Sequence, residues 1–206
     1  MRQTFLIVAC GLVLFGIFFV SAKDTELGYV PGDKVKDFKL ENVDGQQVSL
    51  SSIEAKGYII AFTCNTCPYA KAYEQRIIDL DKKYSKKGFK VVAINPNDAS
   101  QQAGDSMEEM RKRADEKGYT FPYLRDDDQV VTRVFGAKKT PHVYVVNKQD
   151  NDLIVEYVGA IDNSPRDAAD VTEKYVESAV DALLRGEKPT VTEKRAIGCS
   201  IVWKES

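Results

Sequence analysis

The chain is poor in the residues that most often announce chemistry. Its 206 residues include one histidine, one tryptophan and four cysteines. With neither a histidine pair nor a second pair of closely spaced cysteines, a structural zinc site lacks half its ligands. No stretch concentrates Lys and Arg, and the net charge is −2. The electrostatic footprint of a nucleic-acid-binding protein is therefore missing. There is no low-complexity tract and no internal repeat. What remains is an ordinary globular composition, 43% apolar and 29% charged, in a chain long enough to bury a core without disulfides.

Only one long hydrophobic run is present. Arg2 is followed by Phe5 to Val20, then Ser21-Ala22 and the charged Lys23-Asp24. Val20-Ser21-Ala22 fits the small-residue rule for signal peptidase, with cleavage after Ala22. The competing reading is an uncleaved anchor, because about 18 apolar residues approach the lower limit of about 17 for a spanning helix. Lipidation at Cys10 is disfavoured because too little apolar sequence precedes it. Each reading exports residues 23–206, to the periplasm or cell envelope if the source is bacterial. Membrane contact is expected only through an uncleaved anchor. Cys64, Cys67 and Cys199 are the cysteines of that exported part. Three is odd and sparse for a disulfide framework, so they read as chemical rather than structural.

Along the chain, Val35 to Leu50 alternates around Asp44-Gly45, a hairpin signal. Tyr58 to Thr63 and Phe89 to Asn95 are short apolar runs suited to strands buried on both faces. Between them Ala70, Tyr73, Ile77, Leu80 and Tyr84 mark one face of an amphipathic helix ending near Gly88. That strand–helix–strand order predicts parallel strands. Asp105-Ser106-Met107-Glu108 can cap a helix striped by Met107, Met110 and Ala114. A short helix is expected over 129–135, strands over 142–146 and 153–158, and a last helix over 171–185. A tail, 186–206, follows. The order describes an α/β sandwich with a mixed sheet and an N-terminal hairpin extension. The acidic triplet Asp126-Asp127-Asp128 reads as a solvated loop, since no ordered metal-ligand spacing follows it.

The chemistry gathers at Cys64-Asn65-Thr66-Cys67. A strand ends at Thr63 and a helix is predicted to begin at or just after Cys64. Such a helix would place Cys64 at the positive end of the dipole and favour thiolate. Cys67, one turn on, could close a Cys64–Cys67 disulfide after Cys64 attacks a substrate, and Pro68 is tolerated in a first helical turn. As a structural staple so small a loop gains little. Thr140-Pro141 lies 74 residues beyond Cys67. A proline there sits badly in a regular ladder; a cis bond would remove the objection, and a trans proline opening a strand is the alternative.

The run Thr63-Cys64-Asn65-Thr66-Cys67-Pro68-Tyr69, together with Lys139-Thr140-Pro141, resembles thioredoxin-like proteins. More narrowly, the resemblance is to the redoxins related to alkyl hydroperoxide reductase and thiol-specific antioxidant proteins. The segments 121–126 and 159–163 are similar to that group's signatures. The tail 197–204 is similar to a peroxiredoxin-like subfamily that carries CxxC. The resemblance covers the chain from about Val35 and implies a thioredoxin-like sandwich with Pro141 as the cis-proline beside the active site. It also implies an antioxidant role as a further expectation. The sequence departs from peroxiredoxins in the P-x-x-x-T-x-x-C pattern. With Cys67 as the peroxidatic residue, Ile60 and Cys64 hold the Pro and Thr positions; with Cys64, Gly57 and Ala61 hold them. Neither register orients a peroxide. The buried proton acceptor of thioredoxins is not evident either: Tyr58 holds its strand position. Glu74 lies about 15 Å along the helix from Cys64 at about 1.5 Å per residue.

The leading expectation is an exported thiol-disulfide oxidoreductase. It would exchange electrons through Cys64 and Cys67 with protein thiols or disulfides, or with an electron-donor redox protein, and would need no cofactor beyond that redox-active pair. Thiol peroxidase activity is the second expectation. The third is a copper-binding module using Cys64, Cys67 and His142, since two thiolates and an imidazole suit a soft metal. Cys199 is a candidate third redox thiol. It follows Gly198, which permits close backbone approach, and precedes Ile201 and Trp203, which could anchor the tail. A bridge to Cys64 would make it a relay; a buried, inert thiol is the alternative.

Overall fold

The computed structural model describes residues 28–205. The expectations for the apolar leader 1–22 and for Cys10 lie outside the described residues. Among those described, no helix is long and apolar enough to cross a membrane.

Strand β1 (Lys39–Asn42) and β2 (Gln47–Ser49) form the expected N-terminal hairpin, paired antiparallel with Leu40 opposite Val48. Strand β3 (Gly57–Phe62) then runs into the cysteine motif, and α1 (Pro68–Tyr84) carries the chain back to β4 (Phe89–Asn95). β3 and β4 are parallel, as a strand–helix–strand crossover requires, with Phe62 opposite Ile94. Helix α2 (Met107–Lys117) leads to β5 (Tyr123–Arg125), and α3 (Val130–Phe135) to the two-residue β6 (Lys139–Thr140). Strands β7 (His142–Gln149) and β8 (Asp152–Gly159) make an antiparallel hairpin, longer than its apolar residues alone indicate. Helix α4 spans Tyr175–Leu184, and the tail adds β9 (Glu193–Lys194) and β10 (Cys199–Ser200).

The main sheet runs β2-β1-β5-β4-β3-β7-β8-β9, and β10 pairs with β6 in a separate two-stranded sheet. The side-chain alternation of the central strands makes two cores. Ile59, Ala61, Val91, Ala93, Val143 and Val145 face α1, α2 and α4, where Tyr73, Ile77, Met110 and Val180 meet them. Tyr58, Ile60, Phe62, Val92, Ile94 and Tyr144 face the other way, against Phe135 of α3 and Leu50. Each large side chain so buried contributes about 1.5–3 kcal/mol, enough to hold β3 rigid up to the motif that follows it.

Three sequence expectations shift. Helix α4 starts at Tyr175 rather than 171, because the Thr172 and Glu173 N–H groups are drawn to the Asn163 side-chain oxygen. Ser106, not Asp105, caps α2, accepting from the Glu109 N–H at 3.4 Å. The acidic triplet is not simply a solvated loop. Asp126 is fully buried and accepts hydrogen bonds from the N–H and hydroxyl of Thr132. Asp127 pairs with Arg125 and Lys204.

Candidate active site

The motif forms the turn between β3 and α1. Pro68 occupies the first helical position and Cys67 the N-cap, in extended conformation at φ −68° and ψ 127°. Proline disfavours helical geometry in the residue before it, so the helix cannot extend back through Cys67. Cys64 therefore lies ahead of the helix rather than on its first turn. The residue is 5% exposed, and its thiol donates to the Thr140 hydroxyl at 3.3 Å. Burial first, and then the negative charge of Asp105, push the Cys64 thiol above its ordinary pKa; hydrogen bonds from Thr140 and from the backbone of Cys67 and Thr66 act the other way. In this bridged state the surroundings therefore favour thiol over thiolate, the opposite of what a helix terminus at Cys64 would do.

Thr140 and Pro141 stand across from the motif, joined by a cis peptide bond. The Thr140 carbonyl oxygen lies 3.3 Å from the Cys67 sulfur, so one residue contacts both motif cysteines. Strand β10 pairs antiparallel with β6 and sets Cys199 directly opposite Thr140. That register delivers Cys199 to Cys67. The two are joined in a disulfide with α-carbons 5.9 Å apart, and among the described residues Cys64 is the free thiol. The structure thus holds neither the Cys64–Cys67 bridge nor a Cys64–Cys199 bridge, because the tail is positioned over Cys67.

The tail is fixed on both sides of Cys199. A Cβ built on Gly198 would stand 2.2 Å from the Thr140 carbonyl oxygen, so the close backbone approach does depend on glycine. Beyond Cys199, Ile201 is buried in the core of the α3 face. The Gln129 side chain donates to the Val202 carbonyl at 2.9 Å and accepts from the Lys204 N–H at 2.9 Å. The Arg133 guanidinium lies 4.5 Å from the centre of the Trp203 ring.

Beneath the motif sits a group that the sequence reading treated only as part of a helix cap. Asp105 is fully buried. Its carboxylate accepts from the Asn65 N–H at 2.6 Å and the Thr66 hydroxyl at 2.7 Å. Asn95 at 3.1 Å and Asn97 at 2.9 Å donate to it as well. Asn65 further donates to the Gly104 carbonyl and accepts from the Tyr123 hydroxyl. A signal for this cluster existed. Asn95-Pro96-Asn97-Asp98 is a polar run leaving β4 at its carboxyl end, beside the end of β3 that carries the motif, where open α/β sheets gather functional groups.

The remaining candidates are not gathered into a metal site. The His142 ring lies 5.0 Å from that of Tyr144, tilted by 37°, and its Nδ1 accepts from the Lys138 N–H at 3.4 Å. Burial and the Lys138 charge lower its pKa to about 4. With Cys67 bonded to Cys199, the set Cys64, Cys67 and His142 is not available as ligands. Among the described residues no group of three or more His, Cys, Asp or Glu side chains is arranged to hold a metal ion. Glu74 pairs with Arg113 and Lys117 and accepts from Tyr119, away from the cysteines. The Tyr58 hydroxyl is spent on the carbonyls of Leu50 and Ile53.

Residues 31–157 match the model of the AhpC/TSA family. The thiol-disulfide oxidoreductase ResA of Oceanobacillus iheyensis is 30% identical over 149 residues, covering 70% of this chain and 73% of that protein. Among solved structures, an uncharacterized conserved protein from Geobacillus kaustophilus is 40% identical, with a TM-score of 0.79 over 85% of this chain and 93% of that one. A hypothetical protein from Sinorhizobium meliloti is 30% identical, with a TM-score of 0.80 over 87% and 97%.

Proposed function

Because the chain belongs to the AhpC/TSA family, we propose that it is a thiol-disulfide oxidoreductase whose working groups are Cys64, Cys67 and Cys199. The observation that carries this reading is a Cys67–Cys199 disulfide held beside a free Cys64 thiol. In the reduced enzyme, the Cys64 thiolate attacks a substrate disulfide, forming a mixed disulfide and expelling one substrate thiolate. Cys67 then attacks the Cys64 sulfur, which releases the second substrate thiolate and forms a Cys64–Cys67 disulfide. Cys199 attacks Cys67, displacing Cys64 as thiolate and leaving the bridge seen here. Two electrons have passed to the substrate, and a dithiol donor returns them by reducing Cys67–Cys199. The Thr140 hydroxyl beside Cys64 and the Thr140 carbonyl beside Cys67 keep both sulfurs in place through these exchanges.

The substrates are protein disulfides and the electron donor is a redox protein. No step needs a further cofactor. The apolar leader supports an exported location, and a persistent disulfide suits such a compartment. Trapping tests the scheme. Replacing both Cys67 and Cys199 by Ser leaves Cys64 to hold substrate as a mixed disulfide, whereas Cys64→Ser abolishes reduction. In Cys199→Ser protein, peptide mapping after oxidation yields Cys64–Cys67. Trapping of substrate by the Cys64→Ser protein would reverse the assignment of the attacking thiol.

A further inference from the structure

A buried carboxylate is costly unless it is well paired or hydrogen-bonded, and Asp105 meets that demand in an unusual way. One of its oxygens takes the Asn65 N–H and the Asn95 amide; the other takes the Thr66 hydroxyl and the Asn97 amide. Two of those four donors belong to the segment between the motif cysteines. The Asn97 side chain also faces the tail: its carbonyl oxygen accepts from the Val202 N–H at 3.0 Å, three residues after Cys199. Asp98 adds a backbone bond to the Val202 carbonyl at 2.9 Å. The segment bearing Cys64 and Cys67 and the segment bearing Cys199 are thus tied to the same buried anion, directly in one case and through one amide in the other.

We propose that Asp105 is the positioning residue of the cysteine exchange: it anchors Asn65–Thr66 beneath the motif and, through Asn97, holds the tail so that Cys199 is presented to Cys67. This deepens the three-cysteine reading above and rests on it. The charged and titratable groups around Asp105 are few. Arg125 donates to its backbone carbonyl at 2.5 Å. Tyr123 reaches it through Asn65 and Asn95, and Cys64 feels its charge. While the tail is bridged, that charge adds to burial in keeping Cys64 a neutral thiol, so the free cysteine beside the disulfide stays quiet until the tail moves.

The informative variant is Asp105→Asn, nearly identical in shape. An amide nitrogen in place of either oxygen must face at least one fixed donor: Asn97 on one side, the Asn65 N–H and Asn95 on the other. Two measurements follow, neither of which uses substrate turnover. One is the pH dependence of Cys64 alkylation by iodoacetamide in the bridged protein. The other is the ratio of Cys67–Cys199 to Cys64–Cys67 after equilibration in a glutathione buffer, read by peptide mapping. Asp105→Asn lowers the alkylation midpoint and reduces the Cys67–Cys199 share at least fivefold. Asn97→Ala reduces that share while leaving the midpoint in place, because the Asp105 charge remains. A merely structural aspartate would not separate the two readouts in this way. An Asp105→Asn protein with native circular dichroism and both readouts unchanged overturns the proposal. If that variant does not fold, an unchanged bridge share in Asn97→Ala overturns it instead. Failure of the oxidoreductase reading is a separate result, in which a protein disulfide is not reduced although both readouts respond as stated.

Discussion

Gly198 lies against Thr140 so closely that a single added carbon would stand 2.2 Å from the Thr140 carbonyl oxygen and 3.1 Å from the Pro141 nitrogen. Both obstacles are backbone, so neither can swing aside. Gly198→Ala is therefore expected to push the tail off β6 while leaving the rest of the domain folded. Overpacking of this kind costs about 1–3 kcal/mol, which lowers the equilibrium share of the Cys67–Cys199 bridge about 5- to 150-fold. Peptide mapping in a glutathione buffer measures it. An unchanged share would mean the tail can seat without the close approach.

His142 provides a second check, on the end of β7 that follows Pro141. Burial, then the nearby Lys138 charge, lowers its pKa to about 4, below the ordinary value near 6.5. The folded state therefore binds the histidine proton less readily than the unfolded chain. Its contribution to stability is fully present above pH about 6.5 and is lost as pH falls through about 4. At most about 3.5 kcal/mol is involved, at about 1.4 kcal/mol per pKa unit. The chain has only one histidine, so a pH titration of its imidazole resonance by NMR reads this group alone. A midpoint near 6.5 would show that the ring is solvated.

Peroxide should be a poor substrate. Neither cysteine register supplies the Pro and Thr that orient a peroxide in peroxiredoxins, and Cys64 is buried. Reduced protein mixed with hydrogen peroxide in a stopped-flow instrument is expected to oxidise no faster than free cysteine at the same pH. Oxidation orders of magnitude faster would favour a peroxidase instead.

Much of this architecture was legible in residue patterns. Apolar periodicity located β3, α1, β4 and the N-terminal hairpin, because each buries a face with a regular repeat. The motif, Pro141 and Cys199 stood out as residue types. Their connection did not. The pairing of Cys199 with Cys67 depends on a two-residue strand, β10, whose partner β6 is 59 positions upstream and equally short, and such elements leave no periodic trace. Asp105 was hidden for a different reason. Its neighbours Ser106 and Met107 made it look like part of a helix cap, while its real donors come from positions 65, 66, 95 and 97. Asp126 is hidden in the same way, since in the sequence it is one of three adjacent acids, whereas Thr132 draws it inside.

The Cys67–Cys199 bond spans 132 residues, so it closes a covalent ring around β4 through β9 and all four helices. Restricting so large a loop in the unfolded chain is worth on the order of 5 kcal/mol on a chain-entropy view. Transfer of the bridge to Cys64–Cys67 shrinks the ring to a few residues and removes about 3 kcal/mol of that restraint. The electron inventory is the same before and after, yet the fold changes from a clasped body to an open one. Its resistance to heat and to proteases thus reports which cysteine holds the bond.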